Sequence, residues 1–94
     1  MKYILIGSHG NEKADKRHLK DIAVGVYDYS VAKTFVEAIK TIVDLKRKNE
    51  EYFAVLNMNV LTIEDVNNSK LVKMLVKEKR AVLSYNHENS LLAG

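Results

Sequence analysis

Short apolar runs of strand length alternate with longer segments of helical periodicity along this chain of 94 residues. Apolar runs that end in turn-forming residues are typical of β-strands, and apolar residues three or four positions apart are typical of helices buried on one side. The pattern predicts strands at residues 2–7, 22–27, 52–58 and 81–85, and helices at about 30–48 and 63–79. This alternation indicates an α/β domain in which two or three helices cover a small, four-stranded, mostly parallel sheet.

The segment from Ser30 to Lys48 has the clearest helical pattern. Asp28 or Ser30 is expected to cap its amino end by accepting from a free backbone amide. In the later helical segment, Thr62 begins a sequence close to a capping box, and residues 67–69 are expected to divide the helix in two. The apolar residues of the first helix share one face: Val31, Phe35, Ala38, Ile39, Ile42 and Leu45.

The polar segment at residues 11–21 is compatible with two structures. It forms either a surface helix capped by Asn11 or the arm of a hairpin loop. A helix would make the first strand parallel to the third, whereas a hairpin would make it antiparallel. Ligands of parallel α/β folds bind beyond the carboxyl ends of the strands, so the position of any site depends on which structure forms.

Composition and charge exclude several classes of protein. The chain has no cysteine, which excludes disulfides and thiolate chemistry. No apolar run is long enough to span a bilayer and none fits a signal peptide, which together favour a soluble, cytoplasmic protein. The net charge of +3, carried largely by lysines, permits binding to polyanions but does not require it. Without linkers or repeats, residues 1–94 are expected to form a single domain.

Polar residues follow each predicted strand. If the strands are parallel, these residues gather at one edge of the sheet, where an anionic small molecule such as a nucleotide or phosphate is the expected ligand. Asp28 and Ser30 follow the second predicted strand, and Glu88 lies beyond the fourth. The expected ligand-binding residues are Gly7, Ser8, His9, Gly10, Asn57, Asn59, Asn86 and His87.

The tetrapeptide from Gly7 to Gly10 is the most suggestive short motif. Its two glycines permit a sharp turn and a close backbone approach to a ligand, and a hydroxyl and an imidazole lie between them. Ser8 and His9 are therefore the candidate catalytic residues. The alternative is a strand-ending turn whose side chains face water. The spacing of the glycines matches neither the Walker loop nor the dinucleotide fingerprint.

Residues 3–10 are similar to the start of the phosphocarrier IIA domains of mannose-type sugar phosphotransferase systems. In those domains the histidine after the first strand accepts a phosphoryl group, a role that the similarity would give to His9. The similarity ends there, because residues 11–17 are strongly polar where that family has an apolar-faced helix. The sequence therefore assigns no family.

Three functional hypotheses follow. The first is a binding or regulatory protein that recognises an anionic small molecule or a protein partner, and that forms a homodimer through an exposed edge strand. The second is a small enzyme acting on a phosphate ester or nucleotide. The third is a nucleic-acid binder that uses Lys70, Lys73 and Lys77 on one helix face. No cofactor is expected, and no metal, because the three histidines lack the spacing of zinc ligands.

Overall fold

The computed structural model describes residues 1–22 and 28–85. The elements are β1 (Lys2–Ile6), α1 (Glu12–Ile22), β2 (Tyr29–Ala32), α2 (Phe35–Arg47), β3 (Tyr52–Asn57), α3 (Ile63–Asn68), α4 (Lys70–Lys77) and β4 (Ala81–Ser84). The strands form one four-stranded, all-parallel sheet in the order β2-β1-β3-β4. The predicted α/β class is confirmed.

The two central strands are buried on both faces of the sheet. Ile4 of β1 lies beside Ala54 of β3, and the next pair is Leu5 with Val55. Because side chains alternate along a strand, the first pair faces α2–α4 and the second faces α1. Continuous apolar runs such as these are typical of parallel strands covered by helices on both sides.

The segment at residues 11–21 is a helix, which resolves the alternative left open by the sequence. The side-chain oxygen of Asn11 accepts from the amides of Lys13 at 3.0 Å and Ala14 at 3.2 Å, as a capping residue does. The connection through α1 makes β1 parallel to both of its neighbours. The strands β1 and β3 therefore end at the same edge of the sheet, which we call the carboxyl edge.

The strand β2 and the start of α2 lie later in the chain than the positions predicted for the second strand and the first helix. Ile22 belongs to α1, residues 23–27 lie outside the described residues, and β2 is formed by residues 29–32. Ser30 is therefore a strand residue, and α2 begins after Thr34, whose hydroxyl accepts from the amide of Glu37. The local helical pattern around Val31 is overridden by pairing of this segment with β1, an interaction between segments far apart in the sequence.

The predicted division of the last helix is confirmed. Thr62 caps α3 by accepting from the amide of Asp65, and Ser69 caps α4 by accepting from the amide of Val72. Ser69 has an extended backbone, with φ at −81° and ψ at 123°, so the helix must restart after it. This restart gives the last helical segment a second amino end, that of α4.

The two edges of the sheet are β2 and β4, each only four residues long. Homodimer formation through an exposed edge stays a prediction. Within residues 1–22 and 28–85, no helix has the length and apolar character needed to cross a membrane.

Candidate functional site at the carboxyl edge

Asn57 joins the loops that follow the two central strands. Its side-chain amide donates to the carbonyl oxygen of Gly7 at 2.9 Å, and its side-chain oxygen accepts from the amide of Asn59 at the same distance. Gly7 has a φ of +91°, and a Cβ there would lie 3.0 Å from Cγ of Leu61. Glycine is therefore required by both backbone conformation and packing. Asn57 is completely buried, and its two hydrogen bonds hold the loops together.

Ser8 is held by the buried carboxylate of Asp15, which is only 2% exposed. The Ser8 hydroxyl donates to Asp15 Oδ2 at 2.5 Å and accepts from the amide of Gly10 at 3.0 Å. The backbone amide of His9 donates to the other carboxylate oxygen at 3.0 Å. The amides of the turn are thus occupied by the protein itself, and the Ser8 hydroxyl is committed at both its donor and its acceptor side.

A second buried polar contact lies further along α1. His18 is 1% exposed, and its Nδ1 lies 2.7 Å from Oγ of Ser84, at the end of β4. The ring of His9 lies over that of His18, with 6.3 Å between centroids and 27° between planes. The inner ring is anchored to the sheet, whereas His9 is exposed at the protein surface. Of the two candidate catalytic residues, His9 is the accessible one.

The predicted site residues are therefore only partly assembled into one place. Gly7, Ser8, His9 and Gly10 form the turn after β1. Asn57 is the last residue of β3 and bonds to that turn, and Asn59 follows β3. Asn86, His87 and Glu88 lie outside the described residues. The expectation that Asp28 follows the second strand was wrong: it precedes β2, and its carboxylate pairs with Lys2 at 3.0 Å on the opposite edge of the sheet.

A depression of about 370 Å³ lies beside this turn, and we call it the carboxyl-edge pocket. A pocket of this volume is within the ordinary range for small-molecule sites. Leu61, which contacts the Gly7 position, forms part of its wall, so the pocket adjoins the end of β1. Its lining comes from the ends of β2 and β3 and from the junction of α3 with α4: Lys33, Thr34, Phe35, Leu61, Asp65, Asn68 and Ser69.

Lys33 connects the pocket with the turn after β1. Its Cε and Nζ lie 3.6 and 3.7 Å from the position that a Cβ on Gly10 would occupy. The ammonium group therefore lies beside Gly10, at the end of this turn. Within the described part of the chain, Lys33 makes no ion pair, although its backbone amide donates to Glu37 Oε2 at 2.7 Å. A cation without a counter-charge is available to an anion.

Two helices begin at the carboxyl-edge pocket, since Thr34 caps α2 and Ser69 caps α4. The first amides of a helix have no intrahelical acceptor, and the aligned peptide dipoles place partial positive charge at this end. Each cap satisfies one amide, that of Glu37 or that of Val72. The Lys33 ammonium and the amino end of α4 favour anions, while Glu37 in the first turn of α2 partly offsets the positive character of that helix end. The carboxylate of Asp65 favours hydroxyl or amino groups.

Sequence reasoning missed Asp15, His18 and Lys33. The signal for the first two was their spacing of three on α1, which places them on the same side of the helix as Leu19. Reading that spacing required the helix itself to be established. Lys33 was missed because residues 30–34 were assigned to a helix, whereas Lys33 directly follows β2.

In residues 1–22 and 28–85, no group of three or more histidine and acidic side chains is arranged to hold a metal ion. Comparison of the chain with protein-family models, with curated proteins and with solved structures finds no match. The function must therefore be argued from the geometry of this chain.

Proposed function

We propose that the protein is a binding module for a small phosphorylated molecule, held in the carboxyl-edge pocket. The observation that carries this proposal is the convergence of Lys33 with the amino ends of α2 and α4 around one pocket. Phosphate groups bind at such helix ends because amides and dipole both favour negative charge there. A lysine adds a compact point charge for the same group.

The remainder of the pocket suits the organic part of such a ligand. Phe35 and Leu61 provide apolar surface, and Asp65 and Asn68 provide hydrogen-bonding groups. A nucleotide presents these three chemistries together, with a phosphate, hydroxyl groups and a flat apolar base. The position of the carboxyl-edge pocket, beside the ends of β1 and β3, agrees with the general location of ligands in parallel α/β folds.

The test is calorimetric titration with adenosine 5′-monophosphate, adenosine and inorganic phosphate. We expect the nucleotide to bind and adenosine to bind much more weakly. Lys33→Gln is expected to weaken nucleotide binding by about 10- to 100-fold, the value of one hydrogen bond to a charged group. Lys40→Gln is the matched control, because Lys40 is exposed, as Lys33 is, but lies within α2 and does not line the pocket. Equal affinity for nucleotide and nucleoside, or equal effects of the two substitutions, would contradict the proposal.

A second candidate function is an enzyme acting on phosphate esters, with His9 as nucleophile. It is favoured by the exposed imidazole of His9, which stacks with the anchored ring of His18, and by the Lys33 ammonium beside Gly10 in the same turn. The imidazole nitrogen would form a bond to phosphorus while the bond from phosphorus to the leaving oxygen breaks. Water would then cleave the phosphohistidine and restore the imidazole.

The two functions are separated by His9→Ala. If the protein is an enzyme, this variant loses hydrolysis of p-nitrophenyl phosphate but still binds adenosine 5′-monophosphate. If it is a binding module alone, the unsubstituted protein shows no turnover above that of buffer. Phosphatase activity that survives His9→Ala would contradict the role of His9.

A further inference from the structure

An apolar groove lies on the surface of the molecule between α2 and α4, and it shares no lining residue with the carboxyl-edge pocket. It has a volume of about 280 Å³. Ile42 and Leu71 form a buried floor, while Ile39 and Val43 are 45% and 42% exposed. We call this surface the α2–α4 groove. Val36 is 64% exposed one turn before Ile39 and extends the apolar stripe along α2.

The charged side chains that line the groove are both lysines. Lys46 lies at one end and Lys70 at the other. Lys46 makes a long contact of 3.7 Å to Glu78, but Lys70 makes no ion pair within the described residues. Lys40 is also exposed beside the stripe, one residue after Ile39. The rim of the groove is therefore basic mainly at the Lys70 end, because Glu78 partly offsets the charge of Lys46.

We infer that the α2–α4 groove binds an acidic amphipathic helix of a partner protein. A helix of this kind places apolar side chains at intervals of three and four residues into a groove between helices. Glutamates or aspartates beside those apolar residues would meet the lysine rim, and such complementary charges select the partner and its orientation.

A second copy of this chain fits the groove less well, because a symmetric contact presents the same patch twice. Lys46 and Lys70 of one copy would then approach those of the other, and like charges oppose that contact. A membrane surface fits less well too. Insertion into lipid requires apolar side chains that protrude, whereas here the apolar groups line a depression whose floor is buried.

The experiment measures binding of two synthetic helices to the full chain by fluorescence anisotropy. Both peptides have leucines at i, i+3, i+4 and i+7, flanked by glutamates in one and by lysines in the other. We expect the acidic peptide to bind more tightly than the basic one. Val43→Ser should weaken that binding by about tenfold, since it removes an apolar contact. Val76→Ser should not, because Val76 is exposed on α4 outside the groove.

Charge reversal tests the role of the rim. Lys70→Glu should weaken binding of the acidic peptide by about two- to fivefold, the effect of an exposed ion pair. It should strengthen binding of the basic peptide. Lys73→Glu is the matched control on the same helix, because Lys73 is exposed and does not line the groove. Thermal melting of each variant verifies that it is folded. An acidic residue in the first turn of α4 is favourable to the helix, so Lys70→Glu should fold normally.

The inference is overturned if the two peptides bind equally, if neither binds, or if the two charge reversals have the same effect. It is also overturned if the unsubstituted chain is a dimer that Val43→Ser converts to a monomer. In that case a second copy occupies the groove. Binding of vesicles containing anionic lipid that is lost in Val43→Ser would instead assign the groove to a membrane.

Discussion

The two faces of the sheet are filled by different chemistry. Under α2–α4 the interior is apolar, with a large cluster built from both central strands and three helices. Under α1 the apolar cluster is small, with Leu5, Leu19 and Val55 at its centre. The space beside it is occupied by buried polar contacts, those of Asp15 with Ser8 and of His18 with Ser84.

This difference indicates that one face of the sheet stabilises the domain, while the other positions the turn after β1. Apolar burial contributes most of the stability of a small domain, so the face under α2–α4 is expected to carry it. Buried hydrogen bonds contribute less net free energy, but they define one arrangement of the groups they join. The face under α1 therefore fixes the turn after β1, in which His9 is the exposed group.

The largest expected effect is a difference between two leucine truncations. Leu75 on α4 and Leu19 on α1 are both at most 2% exposed. Leu75→Ala should lower the free energy of unfolding by about 3–5 kcal/mol, and Leu19→Ala by about 2–3 kcal/mol, since the smaller cluster can relax more fully around the cavity. Urea denaturation of both variants measures the difference. A larger loss for Leu19→Ala would show that the α1 face carries the stability.

The next effect concerns the polar contacts under α1. Asp15→Ala leaves the Ser8 hydroxyl and the His9 amide without their acceptor, which should cost about 1–3 kcal/mol. Hydrogen exchange at the His9 amide should accelerate, because that amide loses its fixed partner. The control is Asp44→Ala, which removes an exposed carboxylate from α2 and should change stability by at most about 0.5 kcal/mol. Unaltered exchange at His9 would mean that Asp15 does not hold the turn.

The smallest effect is expected on the outer side of α1. Glu12 pairs with Lys16 at 2.9 Å on the exposed surface of the helix. The Lys16 ammonium donates a hydrogen bond to the Glu12 carboxylate, and this bond, aided by the negative charge of Glu12, raises the pKa of Lys16. The stabilising contribution of a raised pKa is present below the ordinary lysine pKa and is lost as pH rises through the folded value.

Lys16→Gln should therefore lower the unfolding midpoint only slightly near neutral pH, because exposed pairs of this kind contribute little. The unsubstituted protein should be slightly more stable to unfolding than the variant, and this difference should disappear only in strongly alkaline solution. Urea denaturation of both proteins at a series of pH values measures this difference in stability. A clear loss of stability at neutral pH would show that the outer side of α1 contributes as the buried contacts do.

Part of the candidate site was predictable from sequence. The turn from Gly7 to Gly10 and the asparagines at and beyond the end of β3 were identified because turn residues and polar groups stand out at the ends of apolar strands. The roles of these residues were not predictable. Asn57 proves to hold two loops together, and Ser8 proves to be engaged by Asp15, because both contacts depend on which loop lies beside which.

The sequence by itself determined the elements whose patterns are local: β1, β3 and β4, the body of α2, and the division of the last helix at Ser69. Tertiary structure decided the position of β2, the start of α2 and the inward side of α1. Each of these depends on partners distant in the sequence. Residues 29–32 become a strand by pairing with β1, and Asp15 and His18 become interior residues only when Ser8 and Ser84 lie opposite them.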